Sequence, residues 1–482
     1  MTIYVVLTAI STGVLAAVSL VLLLVRTARG EGLRAALARD LARLSGRGDL
    51  GWLRWWHITV VVAVGLGAVM GFDLATGLYG CSAPGAPSDI GGFLAQGRAF
   101  WTGTNPFNVA NCGTTIAEPD GLAAVLFNAV GSLGGLVGIA VIWGVIAVTL
   151  VPLTWWVGGV DRGYLTLVLV ASPLYFPLVA TQIDGASNAL VPATVLLTLF
   201  LARRREVGAT SLAGFLATQR FPTLFPVLAL SGSFRRRFAA AGALVGVFAL
   251  LTAASYAAWG SEFLDQVFLA QIGRRSFSLN FWGVFLLHNA LPSGNGLAVA
   301  QAVLTLVLVA VVFFTVRSPL RAAAITVTGV ALLTQFLSFD ILVWLLPVAL
   351  VGARPRWWLW GIAVVGAVNY EFALSVGAWT QGVLWPSELL DVVLTVLLLG
   401  LFVELWRSND LGPVGPPSVR GSAPAELGAE PSGEPFAVAG RGRLADRSAP
   451  ATGAKCGSVP GSPDSPPDPA PSPAPGRFPQ SE

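Results

Sequence analysis

"RRREVGATSLAGFLATQRFPTLFPVLALSGSFRRR", residues 203–237, sets two arginine triplets at the ends of an apolar stretch. Arginines beside membrane segments collect on the cytoplasmic face. A single crossing between the triplets puts one of them on the wrong side. A broken hairpin of two short helices, turning at "TQRFP" with Pro222 as its breaker, satisfies both. Discontinuous backbone at membrane depth is tolerated only where it is buried in protein or lines a cavity. That predicts Gln219 and Arg220 at such a cavity.

The rest of the chain agrees with a membrane setting. Hydrophobic residues fill 55% of the 482 positions and charged residues only 11%, and mean hydropathy is +0.73. A soluble chain of this length needs far more surface charge. Helices are the spanning elements expected, because lipid leaves every backbone group to be paired within the protein. Apolar runs of spanning length lie at 2–25 and near 58–78, 122–150, 163–180, 186–202, 238–259, 297–316, 322–338, 341–353, 357–378 and 387–406. The fold expected is an all-α polytopic bundle of about 11 spans plus a re-entrant helical hairpin.

The first run lacks a basic n-region and exceeds a usual signal-peptide core, so it reads as a span. "RTARGEGLRAALARDLARLSGRGDLGWLR" follows, with seven Arg against three acids. It belongs in the cytoplasm, with the N-terminus outside. Leu33, Leu37, Leu41 and Leu44 recur there at the spacing of an interfacial amphipathic helix. Alternation then places Arg317, Arg321, Arg354, Arg356 and Arg407 inside, and Arg98, Arg274 and Arg275 outside. Three regions follow: residues 1–56, a first span and cytoplasmic segment; 57–407, a multi-span membrane domain with an outer loop at 79–121; and 408–482, a cytoplasmic tail. The tail is rich in Pro, Gly and Ser, cannot bury a core, and reads as disordered.

Cys81 and Cys112 share the outer loop, whereas Cys456 lies in the tail. The outer pair is a disulfide candidate; two separate thiols are the other reading. The chain has no zinc-type cysteine spacing, no phosphate-binding glycine loop and no nucleic-acid-binding signature.

With so few charges, each one away from the cytoplasm is informative. Asp89 lies in "APSDIGGFLAQGRAFWTGTNPF", residues 86–107. Gln182 and Asp184 lie in "SPLYFPLVATQIDGASN", Arg274, Arg275 and His288 in "AQIGRRSFSLNFWGVFLLH", and Asp340 in "TQFLSFDILVWLLP". All belong to the outer face. A carboxylate there can deprotonate an attacking hydroxyl, and paired cations can hold a phosphate. Structural roles compete. Asp89, Asp184 and Asp340 can each cap a helix, the two arginines can meet lipid headgroups, and His288 can be a hydrogen-bonded core residue. A membrane enzyme and a transporter or flippase for a lipid-linked or anionic substrate both remain open on these residues.

The order of these segments resembles the GT-C glycosyltransferases, especially glycosyltransferase family 87 and the related GPI-type mannosyltransferases. "SDIGGFLAQGRAFWTGTNPF" is similar to the family's opening loop, an Asp followed by an aromatic helix and a "G-x-(N/D)-P-(Y/F)" turn. "SPLYFPLVATQIDGASNALVPATVLLTLFLARRR" with "SLAGFLATQRFPTLFPVLAL" resembles its next span pair and broken hairpin. "SFDILVWLLPVAL" resembles its late "W-x-x-P" helix. The likeness runs over roughly residues 85–350. It departs at "QR" (219–220) in place of a Lys, at Thr181 in place of a Gly, at the single Asp of the loop and at the additional first span.

The resemblance implies an inverting transferase with little or no use of metal and no organic cofactor. It implies transfer of mannose, another hexose or a pentose from a polyprenyl-phosphate donor to an envelope glycolipid or polysaccharide. Asp89 is then the general base. Arg98, Gln182, Asp184, Arg220, Arg274, Arg275, His288 and Asp340 are the expected substrate- and donor-binding residues. The chain shows no similarity between residues 50–230 and 231–410, whereas transporters commonly carry two related halves.

Overall fold

The computed structural model describes residues 55–77, 89–111, 114–117, 121–171, 187–202, 206–218, 233–269, 280, 282, 295–334, 337, 339–375 and 385–408. All of them lie in one compact unit, Met1–Val419. Its first half contains α1 (Trp55–Thr76), α2 (Asp89–Trp101), strands β1 (Asn108–Asn111) and β2 (Thr114–Ala117), α3 (Leu122–Ser132), α4 (Gly135–Ala171), α5 (Leu190–Ala202) and α6 (Glu206–Ala217). Its second half contains α7 (Phe234–Trp259), α8 (Ser261–Leu264), α9 (Asn295–Thr315), α10 (Pro319–Leu333), α11 (Ala353–Ser375) and α12 (Trp385–Arg407). A 3-10 turn, Ser187–Ala189, leads into α5, a π-turn, Asp265–Leu269, follows α8, and a 3-10 helix, Phe339–Leu350, joins α10 to α11.

The chain is a helical membrane-protein bundle. Among the described residues, four helices are long and apolar enough to cross a membrane: Trp56–Thr76, Gly135–Gly158, Phe234–Trp259 and Glu388–Arg407. Shorter apolar helices fill in around them. The described residues therefore support a multi-pass bundle rather than the full set of about 11 spans. The span expected at 2–25 and the tail at 408–482 lie outside the described residues, except for Ser408.

Two expected spans are corrected. Residues 122–150 are not one crossing but a helical hairpin. The Trp143 indole Nε1–H donates to Asn128 Oδ1 at 3.0 Å, and Phe127 packs against Trp143 with ring centroids 6.2 Å apart. On one continuous helix, Asn128 and Trp143 would be about 22 Å apart. Glycine makes the reversal possible. Gly135 has φ +65°, and a Cβ at Gly138 would strike the Gly131 carbonyl. Beyond the hairpin, the interruption expected between 150 and 163 is absent. α4 runs through it, with Pro152 inside the helix, for about 55 Å.

The late span expected at 341–353 is also different in kind. Phe339–Leu350 is a 12-residue 3-10 helix, about 24 Å long against about 18 Å for an α-helix of equal length. Ile341 through Leu350 are all buried, Pro347 included. The stretch "ILVWLLPVAL" is apolar on every side, the pattern of a helix surrounded by others. It packs among α4, α5, α10 and α11 at the centre of the largest apolar cluster.

Of the re-entrant hairpin expected at 203–237, the described residues hold α6 and the start of α7. α6 is 12 residues long, about 18 Å, short of the roughly 30 Å of a bilayer core. It ends at Thr218, whose Oγ1 accepts from the Ala123 N–H at 3.1 Å and donates to the Phe215 carbonyl at 2.6 Å. Residues 219–232, the expected turn and return limb, lie outside the described residues.

Two arginines define one end of the bundle. Arg237, buried in the first turn of α7, donates through Nη1 to the Phe313 carbonyl and through Nη2 to the Val316 carbonyl at 3.0 Å. Arg321, at the start of α10, donates through Nε to the Leu405 carbonyl at 2.8 Å and through Nη2 to the Trp406 carbonyl at 2.6 Å. Each guanidinium thus satisfies the orphan carbonyls at the C-terminus of another helix, where the helix dipole is negative. The starts of α7 and α10 and the ends of α9 and α12 therefore meet at the same end. The ends of α7 and α10 lie at the other, which carries the candidate site.

Candidate functional site

At the end away from Arg237 and Arg321, a short layer of loops and helices is fastened onto the bundle. Helix α2 is its principal element. Ile90, Phe93 and Gln96 are buried, whereas Arg98 and Trp101 are exposed. The spacing gives one apolar stripe. Close approach needs a small residue between helices in a membrane protein, and Gly97 supplies it. A Cβ at Gly97 would lie 2.7 Å from the Ser132 Cβ and against the Asn128 carbonyl. The Trp101 indole Nε1–H then donates to the Ala129 carbonyl at 2.7 Å, locking the last turn of α2 onto α3.

The turn after α2 is latched to the end of α7, to α8 and to the π-turn that follows. Asn105 Oδ1 accepts from the Phe107 N–H at 3.0 Å, an Asx-type turn. Asn105 Nδ2 donates to Glu262 Oε2. Phe107 is fully buried with Val125, Phe263 and Val267. Its ring lies 4.9 Å from Phe263 and 5.4 Å from Trp259, both edge-on. The "TNPF" stretch is thus a structural clasp. The β1–β2 hairpin rises beyond it, pairing Asn108 with Ala117 and Asn111 with Thr114.

Several segments singled out in the sequence converge here. One apolar cluster joins Ile90 and Phe93 of α2, Trp143 of α4, Leu190 at the start of α5 and Leu216 near the end of α6. Ile90 follows Asp89, Leu190 lies six positions after Asp184, and Leu216 lies four before Arg220. A second convergence caps α10. Asn280 Nδ2 donates to the Ala331 and Thr334 carbonyls at 3.1 and 2.7 Å, and the Trp282 Nε1–H donates to the Leu332 carbonyl at 3.1 Å. These contacts bring the stretch that follows Arg274 and Arg275 in the chain to the end of α10, shortly before Asp340.

Asp89 is the first residue of α2, and Asp340 is the second residue of the 3-10 helix. Arg98 is exposed on the last turn of α2. Gln182, Asp184, Gln219, Arg220, Arg274, Arg275, His288, Cys81 and Cys112 lie outside the described residues. Among the described residues, no group of three His, Cys, Asp or Glu side chains could hold a metal ion.

Several polar residues inside apolar runs escaped the sequence reading. Asn128 Nδ2 donates to Gln96 Oε1 at 2.6 Å, so Trp143, Asn128 and Gln96 form one buried chain across α4, α3 and α2. Asn369 Nδ2 donates to Asp391 Oδ1 at 2.6 Å, a buried pair joining α11 to α12. A polar side chain inside an apolar run was the available signal for each.

The model of glycosyltransferase family 87 matches residues 119–339. No curated protein matches the chain. The match spans α3 to the start of the 3-10 helix and includes the stretches with Gln182, Asp184, Arg220, Arg274, Arg275 and His288. Asp89, Arg98 and Asp340 lie beyond its ends. A glycosyltransferase family 87 domain is thus detected over residues 119–339, from α3 to the start of the 3-10 helix, and it supports a glycosyltransferase role for this membrane protein.

Proposed function

We propose that the protein transfers a sugar, mannose or another hexose or a pentose, from a polyprenyl-phosphate donor to an envelope glycolipid or polysaccharide on the outer face of the cell membrane. Asp89 is the general base in this reading. It takes the proton of the acceptor hydroxyl as that oxygen attacks the anomeric carbon from the face opposite the phosphate. The new glycosidic C–O bond forms while the bond to the phosphate oxygen breaks. Polyprenyl phosphate leaves with the bonding pair, and the configuration inverts. Arg274, Arg275 and His288 hold the phosphate, with Arg98, Gln182, Asp184, Arg220 and Asp340 around the sugar and acceptor. The prenyl tail lies in a groove between spans, among membrane lipids. The N-terminus is outside and the C-terminal tail cytoplasmic, which agrees with Arg237 and Arg321 sharing one end of the bundle.

The observation that carries the reading is the seating of α2. A base must be held within hydrogen-bond reach of the proton it removes. The helix headed by Asp89 is fixed by the Gly97 approach, the Trp101 bond and the Phe107 clasp. It also shares a cluster with residues next to the other candidate segments.

Asp89→Asn tests it. Asn keeps the size and capping ability of Asp but cannot accept the proton at neutral pH. Membranes carrying the variant, supplied with a panel of radiolabelled polyprenyl-phosphate sugars, should transfer sugar about 100- to 10,000-fold more slowly. Donor binding and membrane insertion should persist. Asp184→Asn and Asp340→Asn should retain more activity. Near-normal transfer by Asp89→Asn would return α2 to a structural role.

A further inference from the structure

The Trp143–Asn128–Gln96 chain has a direction that chemistry imposes. An indole N–H can only donate, so the Asn128 atom facing Trp143 is its oxygen. The Asn128 amide nitrogen must then face Gln96, and the Gln96 atom that receives it is Oε1. That leaves Gln96 Nε2, a donor of two hydrogens, as the free end of the chain. Gln96 and Asn128 have 0% of their surface exposed. Among the described residues, Gln96 Nε2 is buried without a hydrogen-bond partner.

Buried polar atoms in native proteins nearly always have a partner, and an exception calls for a cause. Stability alone gives none here. Gln96 Oε1 is the acceptor for the Asn128 amide, which accounts for the oxygen of the carboxamide but not for its stranded nitrogen. The location supplies a cause. Gln96 is two turns along α2 from Asp89, so their Cα atoms share a face of the helix about 10 Å apart along its axis. That is roughly the span of a sugar ring with its phosphate.

We propose that Gln96 is a substrate-binding residue whose carboxamide N–H donates to an oxygen of the bound substrate, held in that orientation by Asn128 and Trp143. The ligand chemistry is a hydrogen-bond-accepting oxygen, from either the phosphate of the lipid-linked donor or a hydroxyl of the acceptor. The inference rests on the reading of this end of the bundle as a sugar-transfer site. Binding completes the chain by giving the Gln96 Nε2–H group an acceptor. A donor whose alternative is to stay unpaired discriminates strongly for its ligand.

The test uses the full-length protein in lipid nanodiscs. Gln96→Met and Gln96→Leu remove the donor. Gln96→Glu keeps an oxygen for the Asn128 amide and alters only the free end. KM for the donor and for the acceptor are measured separately from kcat, and sugar-free polyprenyl phosphate is titrated as a binding probe by thermal shift. Gln96→Met should raise KM for one substrate about 10-fold, the loss expected for one hydrogen bond, with a smaller change in kcat. If the partner is phosphate, probe binding weakens in the Met, Leu and Glu variants alike. If it is a hydroxyl, the acceptor KM rises, probe binding is unchanged, and Gln96→Glu recovers part of the loss because the hydroxyl can donate to it.

Wild-type values for both KM constants in Gln96→Met and Gln96→Glu would overturn the proposal, as would a fall in kcat alone. A trapped water or a purely structural chain would then account for Gln96. Absence of transfer by the wild-type protein from every donor in the panel would instead sink the functional reading itself.

Discussion

Gly97→Ala gives the most direct test of how α2 is held. In an exposed helix interior this substitution is favourable by about 1 kcal/mol. Here the added Cβ would lie 2.7 Å from the Ser132 Cβ and from the Asn128 carbonyl carbon. Carbon atoms pack at about 3.5–4.0 Å, so α2 and α3 must separate by about 1 Å. The Gln96–Asn128 hydrogen bond, 2.6 Å long, would open to about 3.6 Å, beyond hydrogen-bonding range. Overpacking costs about 1–3 kcal/mol and a lost hydrogen bond about 1 kcal/mol. The net destabilisation expected is about 2–3 kcal/mol after the helix-propensity gain. Gly65→Ala is the control. Gly65 lies in α1 with nothing within 4 Å of its would-be Cβ, so the same change should be neutral or stabilising. Midpoints of thermal unfolding in detergent, with hydrogen exchange of α2 amides, would report both. If Gly97→Ala matched Gly65→Ala in stability and α2 protection were unchanged, the close approach would not be holding the helix.

Phe107→Ala should release the loop from α7 and α8 at a cost of about 3–5 kcal/mol, the usual range for emptying a buried aromatic site. Faster proteolysis within 102–117 would report it, and unchanged cleavage would contradict the clasp. Arg237→Gln should strand the Phe313 and Val316 carbonyls and destabilise by about 2–4 kcal/mol, since hydrogen bonds from charged donors are the stronger ones. A loss under about 0.5 kcal/mol in unfolding measurements would refute the capping role. Arg237→Lys should recover only part of the loss, because an ammonium cannot reproduce the planar fork.

Composition and arginine placement determined the class of this protein. An apolar chain must satisfy its backbone within helices when lipid is the solvent, and cations are excluded from the apolar layer whatever the packing. Those constraints act residue by residue, so a linear reading captures them. It also found the ordered segments that carry the family likeness, and Asp89 at the head of a short helix. What it could not find depends on neighbours distant in the chain. "LAAVLFNAVGSLGGLVGIAVIW" reads as one apolar run, and only the meeting of Asn128 with Trp143 reveals a hairpin within it. Phe339–Leu350 has the hydropathy of any span, yet its 3-10 form belongs to its surroundings in α4, α5, α10 and α11. Arg237 and Arg321 were legible as charges flanking apolar runs but not as caps on helices more than 70 positions away. Gln96 and Asn128 were passed over because neutral amides carry little signal alone. Hydropathy and charge are properties of single residues and survive in the sequence, whereas a hydrogen bond or a close helix approach is a property of a pair that only the tertiary structure brings together.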